Sequence, residues 1–222
     1  MLDLPLDHLY RPAAEDADAP WLLVLLHGVG SNAQDLFSLA PYVPPAFHVL
    51  SLQAPYPMGL QAYAWFQFDV LDDGTRRIDA AQEARSRQLL ALTVAQASAQ
   101  LGVPARRVLV GGFSQGGIMS LSLLLTEPGL LHGIAVWHGR LLPEVLPQAV
   151  AHEALGGRVA WVSHGTLDQV ILPSSAHRIR DHLAATPVAL QYREYPCDHS
   201  IHREELAQCM TWLQAQVDAQ EA

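Results

Sequence analysis

The sequence predicts an α/β fold: a mostly parallel sheet covered by helices on both faces. Three observations carry that prediction. Short, wholly apolar runs recur along the chain and end at turn residues, as in strands buried on both faces. Longer segments with helical start and stop signals separate them, and parallel neighbours need such crossovers. The third is Arg107-Val-Leu-Val-Gly-Gly-Phe-Ser-Gln-Gly-Gly-Ile118, where an apolar strand pattern breaks at glycines around a serine and resumes with helical spacing.

Taken in order, Pro20-Trp-Leu-Leu-Val-Leu-Leu-His27 reads as the first buried strand, closed by Gly28-Val-Gly30. The preceding Arg11 to Pro20, rich in Pro, Ala and Asp, reads as a surface turn. A helix is expected over Ala33 to Ala40, capped by Ser31 or Asn32 and stopped by Pro41. Phe47 to Leu52 is the next strand. Gln53 to Ile78 is a long connection without clear periodicity, the kind of segment that often lines a site. Ala80 to Leu101 forms a helix ending at Gly102 with Pro104 beyond it. Strands then fall at Arg107 to Gly112, Gly133 to Trp137, Arg158 to Ser163 and Leu190 to Tyr195, the last alternating like a more exposed strand. Helices at Ile118 to Leu125, Ser174 to Ala185 and Ile201 to Val217 complete the alternation. Neither a repeat nor an interdomain linker interrupts it, so residues 1–222 are expected to form one domain.

Composition removes several function classes. Half of the 222 residues are hydrophobic, which supports a sizeable core. A formal charge of -9 with 13 Lys+Arg, and no basic segment, argues against nucleic acid and anionic membranes. The start lacks a basic segment followed by an apolar one, and the apolar runs are too short to span a bilayer; a soluble, cytoplasmic protein with no membrane insertion is expected. Cys197 and Cys209 have no paired spacing of the zinc or disulfide kind and read as free thiols.

Gly112-Phe-Ser-Gln-Gly116 fits GxSxG, in which a strand-to-helix turn holds a serine in a strained conformation with its hydroxyl exposed. Alone it is moderately specific, arising by chance in fewer than roughly one in ten chains of this length. A serine hydroxyl needs an imidazole to accept its proton, and the imidazole needs a carboxylate to fix its tautomer. In a sheet of this type both sit at later strand ends, in the order Ser, acid, His. The strand ending at Ser163 leads into His164-Gly-Thr-Leu-Asp168, and the one ending at Tyr195 leads into Pro196-Cys-Asp-His199. Ser114, Asp168 and His199 are therefore the candidate nucleophile, acid and base. His164 and His202 are rival bases without the strand-end position, and Asp198 is a rival acid that reads better as a helix cap.

The tetrahedral intermediate also needs donors for its oxyanion. The Gln115 amide, after the nucleophile and at a helix start, is one candidate. The Val29 amide, in the loop His27-Gly-Val-Gly-Ser31, is the other. That loop could instead cradle a phosphate, but neither GxxxxGK[ST] nor GxGxxG is present.

These residues resemble the phospholipase/carboxylesterase family of small α/β-hydrolases, which includes the acyl-protein thioesterases. Leu26-His-Gly-Val-Gly30 is similar to its oxyanion loop, Tyr63-Ala-Trp-Phe66 to its substrate-side segment, and Gly111-Gly-Phe-Ser-Gln-Gly-Gly117 to its nucleophile turn; His164-Gly-Thr-Leu-Asp168 and His199-Ser-Ile201 resemble its acid and base loops. The resemblance implies an α/β-hydrolase with Ser114, Asp168 and His199 as a triad, Val29 and Gln115 as oxyanion donors, and Trp65 as a substrate-side residue. It implies hydrolysis of a small-molecule ester without metal or other cofactor. Carboxylic esters of short or medium chain come first, then acyl-protein thioesters or lysophospholipids. A catalytically silent binding scaffold and a serine peptidase are the other classes considered, and a homodimer through an apolar surface near the site mouth is an open expectation. The sequence departs from the family pattern at Ser31-Asn32, at Cys197-Asp198 and at Trp137-His-Gly139, where members generally carry a small residue and Ser-Gly.

Overall fold

The computed structural model describes residues 2–72 and 76–221. Its centre is a seven-stranded sheet. In chain order the strands are β1 (His8–Arg11), β2 (Trp21–Leu26), β3 (Phe47–Leu52), then β8 (Val108–Phe113), β9 (Gly133–Trp137), β10 (Val159–Gly165) and β11 (Ala189–Tyr195). Two hairpins lie between β3 and β8, one of β4 (Tyr56–Gly59) and β5 (Ala62–Ala64), the other of β6 (Phe68–Val70) and β7 (Arg76–Ile78). The helices are α1 (Ala33–Phe37), α2 (Ala80–Leu101), α3 (Gln115–Thr126), α4 (Pro173–Ala184) and α5 (Arg203–Glu221).

The strand order is β1-β3-β2-β8-β9-β10-β11, with only β1 antiparallel to its neighbour. From β2 the chain moves outward to β3, then returns to β8 on the other side of β2 and proceeds outward again. This reversal opens a crevice at the carboxyl ends of β2 and β8, where open α/β sheets hold their ligands.

The apolar runs of β2, β3, β8, β9 and β10 are continuous because each of these strands feeds two cores. On β2, Leu22, Val24 and Leu26 pack with Leu90 and Val94 of α2, Leu121 and Leu124 of α3, and Ile179 and Leu183 of α4. Its alternate residues Trp21, Leu23 and Leu25 pack with Leu36 of α1 and with Trp212, Leu213 and Val217 of α5. Helices thus cover both faces. The edge strand β11 keeps only Tyr195 fully buried, consistent with its alternating pattern.

Three differences from the sequence reading have local causes. Helix α1 stops at Phe37 and a 3-10 turn follows at Ala40–Tyr42, because Pro41 cannot continue the α-helical ladder. Helix α3 begins at Gln115, three residues before its apolar spacing starts, since Gly116 and Gly117 are buried against the sheet without side chains. The connection Gln53 to Ile78 is structured as the two hairpins; its residues 73–75 lie outside the described residues.

Candidate active site

Ser114 sits between β8 and α3 with φ 54 and ψ -115, a backbone conformation that L-residues rarely adopt. Neighbouring contacts hold it there: its N–H donates to the Trp137 carbonyl at 2.8 Å, and the Ile118 N–H donates to its own carbonyl at 3.0 Å. The flanking glycines let the turn approach the sheet. A Cβ on Gly116 would land on the Leu26 carbonyl of β2, and one on Gly112 would meet the Gly116 backbone. Close seating of α3 therefore depends on both positions, and it aims the start of α3 into the crevice.

The loops after β10 and β11 bring Asp168 and His199 to the same place. The Ser114 Oγ lies 2.9 Å from His199 Nε2, and His199 Nδ1 lies 2.6 Å from Asp168 Oδ2. Asp168 is fully buried, and its Oδ1 accepts the Val170 and Ile171 amides at 2.8 and 2.9 Å. Burial alone would raise its carboxyl; hydrogen bonds from His199, His138 and the two amides overcome this and hold it below the ordinary carboxylate value. An ionised carboxylate only accepts, so His199 carries its proton on Nδ1 and turns the Nε2 lone pair toward the serine. The arrangement can deprotonate Ser114.

Val29 and Gln115 line the same cleft as Ser114, and neither backbone amide donates to another group among the described residues. His27 anchors the first of these loops: its Nδ1–H donates to the Gly28 carbonyl at 2.7 Å, while Nε2 accepts the Ala54 amide at 3.1 Å. Burial pushes the His27 imidazole below its usual value, in keeping with a neutral ring. The Gln115 side chain reaches across the cleft, accepting the Trp65 N–H and donating to the Phe66 carbonyl, both at 2.7 Å.

The expected substrate-side residue is Trp65. It is wholly buried and outside the cleft lining, with its indole N–H donating to the His27 carbonyl at 2.9 Å. Through its two N–H groups it ties the Val29 loop to the Gln115 side chain. Tyr63 adds to this brace, accepting the Gly30 amide and donating to the Ser31 carbonyl, both at 2.9 Å. The residues of this segment that do face the cleft are Phe66 and Phe68.

The rivals lie elsewhere or serve differently. Asp198 is exposed and accepts the Ser200 hydroxyl at 2.6 Å. The His202 ring stacks on Tyr195. His164 is buried with Nε2 2.7 Å from the Ile171 carbonyl and 3.3 Å from Asp168 Oδ2, so it packs beside the acid rather than on the serine.

Two residues at the site went unread in the sequence as participants. His138, just after β9, places Nδ1 3.0 Å from Asp168 Oδ2, and Glu205 of α5 places Oε2 3.4 Å from His138 Nε2. The departure at Trp137-His-Gly139 was the available signal for the first; Glu205 resembles any acidic residue in the first turn of a helix. His138, His164 and Asp168 offer ligand-type atoms within 4.8 Å of one another, as do His138, Cys197 and Glu205. Hydrogen-bonded pairing of ring nitrogens with carboxylate oxygens accounts for both groupings, and neither is assigned as a metal centre.

A model of the phospholipase/carboxylesterase family matches residues 13–217. The chain belongs to the phospholipase/carboxylesterase family. Membership makes it an ester-acting hydrolase of the α/β-hydrolase fold. Esterase YpfH of Escherichia coli strain K12 is 32% identical over 171 residues, which are 72% of this chain and 72% of that protein. Acyl-protein thioesterase 1 of Eremothecium gossypii is 24% identical over 95% of this chain and 94% of its own length. The crystal structure of esterase PE8 shares 25% identity and a TM-score of 0.81 over 95% of this chain and 98% of that one. Among the described residues no helix is long and apolar enough to cross a membrane.

Proposed function

We propose that this family member hydrolyses small carboxylic esters through an acyl-enzyme on Ser114. One observation carries the reading: the hydrogen-bonded series Ser114, His199, Asp168 ends at a strained serine beside two unengaged amides. His199 takes the Ser114 proton as Oγ attacks the carbonyl carbon, and the Val29 and Gln115 amides hold the resulting oxyanion. The imidazolium then protonates the leaving alcohol. Water, deprotonated by His199, attacks the acyl-enzyme, and collapse of the second tetrahedral species returns Ser114 and releases the acid.

The surroundings favour a short or medium acyl chain. The cleft beside Ser114 is narrow, walled by Phe66, Phe68, Ile118 and Ile171 with Arg76 and Arg140. On the His199 side lies an open groove of about 270 Å³ lined by Leu36, Leu39, Phe113 and Ile201. That is near the lower end of small-molecule sites, which start at about 300 Å³. Thioesters are the second reading, supported by the similarity to an acyl-protein thioesterase, since the same machinery expels a thiolate as readily as an alkoxide.

A series of p-nitrophenyl esters from two to sixteen carbons tests the proposal, with Ser114→Ala alongside. The expected profile peaks at short or medium chains and vanishes in the alanine variant. Undiminished hydrolysis by Ser114→Ala would sink the mechanism; a peak at the longest chains would overturn the substrate reading alone.

A further inference from the structure

The loop after β9 carries a second strained residue. Among the described residues three non-glycine positions have positive φ: Gln61 in the β4–β5 turn, Ser114 and His138, the last with φ 54 and no exposed surface. Such a conformation is costly and persists only where its surroundings over-determine it. The backbone is pinned by its N–H, which donates to the Ser163 carbonyl at 3.0 Å, and the ring by a carboxylate at each nitrogen.

The hydrogen-bond partners constrain the protons on that ring. Asp168 Oδ2 accepts His199 Nδ1–H at 2.6 Å and faces His138 Nδ1 at 3.0 Å, so His138 Nδ1 must bear a hydrogen. Its Nε2 faces Glu205 Oε2, which already accepts the His202 amide at 2.8 Å. A lone pair there would oppose a carboxylate in a buried space. An imidazolium beside an ionised Glu205 satisfies both nitrogens, and in that arrangement the cluster of Asp168, His138 and Glu205 carries the same single negative charge as Asp168 alone.

We propose that His138 and Glu205 are a positioning pair, an imidazolium held by a buried carboxylate, which fixes Asp168 from the side opposite His199 and neutralises part of its charge. Two consequences follow. Asp168 cannot rotate away when His199 moves during turnover, because His138 shares the same oxygen. A positive ring 5.6 Å from His199, centroid to centroid, lies close enough for its charge to act on the base. Burial acts to lower His138, but the hydrogen bond and charge of Glu205, then those of Asp168, outweigh it and raise the imidazole overall. The other titratable groups around the pair, among the described residues, include His164 beside Asp168, Tyr195 at the end of β11, His199, Cys197 and His202 on the loop after it, and Cys209 on α5.

The inference rests on the triad reading, and the pH profile of kcat/KM separates the two. His138→Asn keeps an amide donor where Nδ1 stood but removes the charge; Glu205→Gln removes the carboxylate that holds it. Each single variant is expected to move the acid limb upward by about one pH unit, costing about tenfold in kcat/KM below the limb, with KM changed little. The double variant should show the shift of one single variant, not the sum, because both substitutions abolish the same charge. An acid limb that stays in place in folded Glu205→Gln, or shifts that add in the double variant, would overturn the pair. Should His138→Asn not fold, Glu205→Gln alone decides. Loss of all turnover in Ser114→Ala together with an unmoved limb rejects the pair while leaving the triad standing; persistent turnover in Ser114→Ala rejects the triad itself.

Discussion

Trp65→Phe distinguishes a brace from a substrate contact. The indole N–H donates to the His27 carbonyl at 2.9 Å in a fully buried setting, and phenylalanine cannot replace that bond. An acceptor left buried without its partner costs about 1–3 kcal/mol, and the smaller ring adds a packing loss of about 1 kcal/mol. About 3 kcal/mol in total lowers Tm by about 6–12 °C in a chain of this size. Because His27 is two residues before Val29, the freed loop also loosens one oxyanion donor. Losing such a donor outright costs about 10²–10³ in kcat, so a donor merely loosened should cost about tenfold. Thermal melts and p-nitrophenyl ester kinetics measure both quantities on the same preparation. A lower Tm with reduced kcat and a KM within twofold of the parent is expected. An unchanged Tm and kcat with a strongly raised KM would refute the brace and return Trp65 to the substrate.

Asp168 makes stability depend on acid. Its carboxyl is lower in the folded chain than the unfolded value of about 4, so its contribution is present above that value and lost as pH falls through the folded one. Urea titrations from pH 7 to pH 3 should show a stability gap between the parent and Asp168→Asn that closes toward the acid end; a constant gap would contradict this. Gly116→Ala should fail to accumulate as folded protein or lose several kcal/mol, because its Cβ would meet the Leu26 carbonyl; a normal melting curve would show that α3 can lift from the sheet. Burial raises the Cys197 thiol to about 11 and holds the Cys209 thiol well above its usual value. A disulfide reagent at pH 8 should therefore label both slowly in folded protein and fast in denaturant, and rapid labelling of folded Cys209 would show that α5 opens.

What could be read from the sequence was set by burial and by turn chemistry. Strands β2, β3, β8, β9 and β10 are continuous apolar runs because each feeds cores on both faces, and such runs stand out. Ser114, Asp168 and His199 were legible because each follows a strand end, and in the structure they form one hydrogen-bonded series. The two hairpins were not: Tyr56–Gly59 and Ala62–Ala64 are short, Met58 and Leu60 project into solvent, and no alternation survives. The surroundings of Trp65 were illegible for a related reason. Its indole is amphipathic, and sequence does not tell whether the N–H meets a ligand or the His27 carbonyl. His138 and Glu205 are 67 residues apart and meet only because β9 and α5 converge beside Asp168.

The central claim is that Ser114 carries the acyl group. Rapid acid quench of the enzyme with a slowly deacylated p-nitrophenyl ester, followed by mass spectrometry of the peptides, tests it most directly. The account predicts an acyl adduct on the peptide containing Ser114, formed in step with a burst of p-nitrophenol and absent from Ser114→Ala. An adduct on another residue, or full turnover by Ser114→Ala, would contradict it.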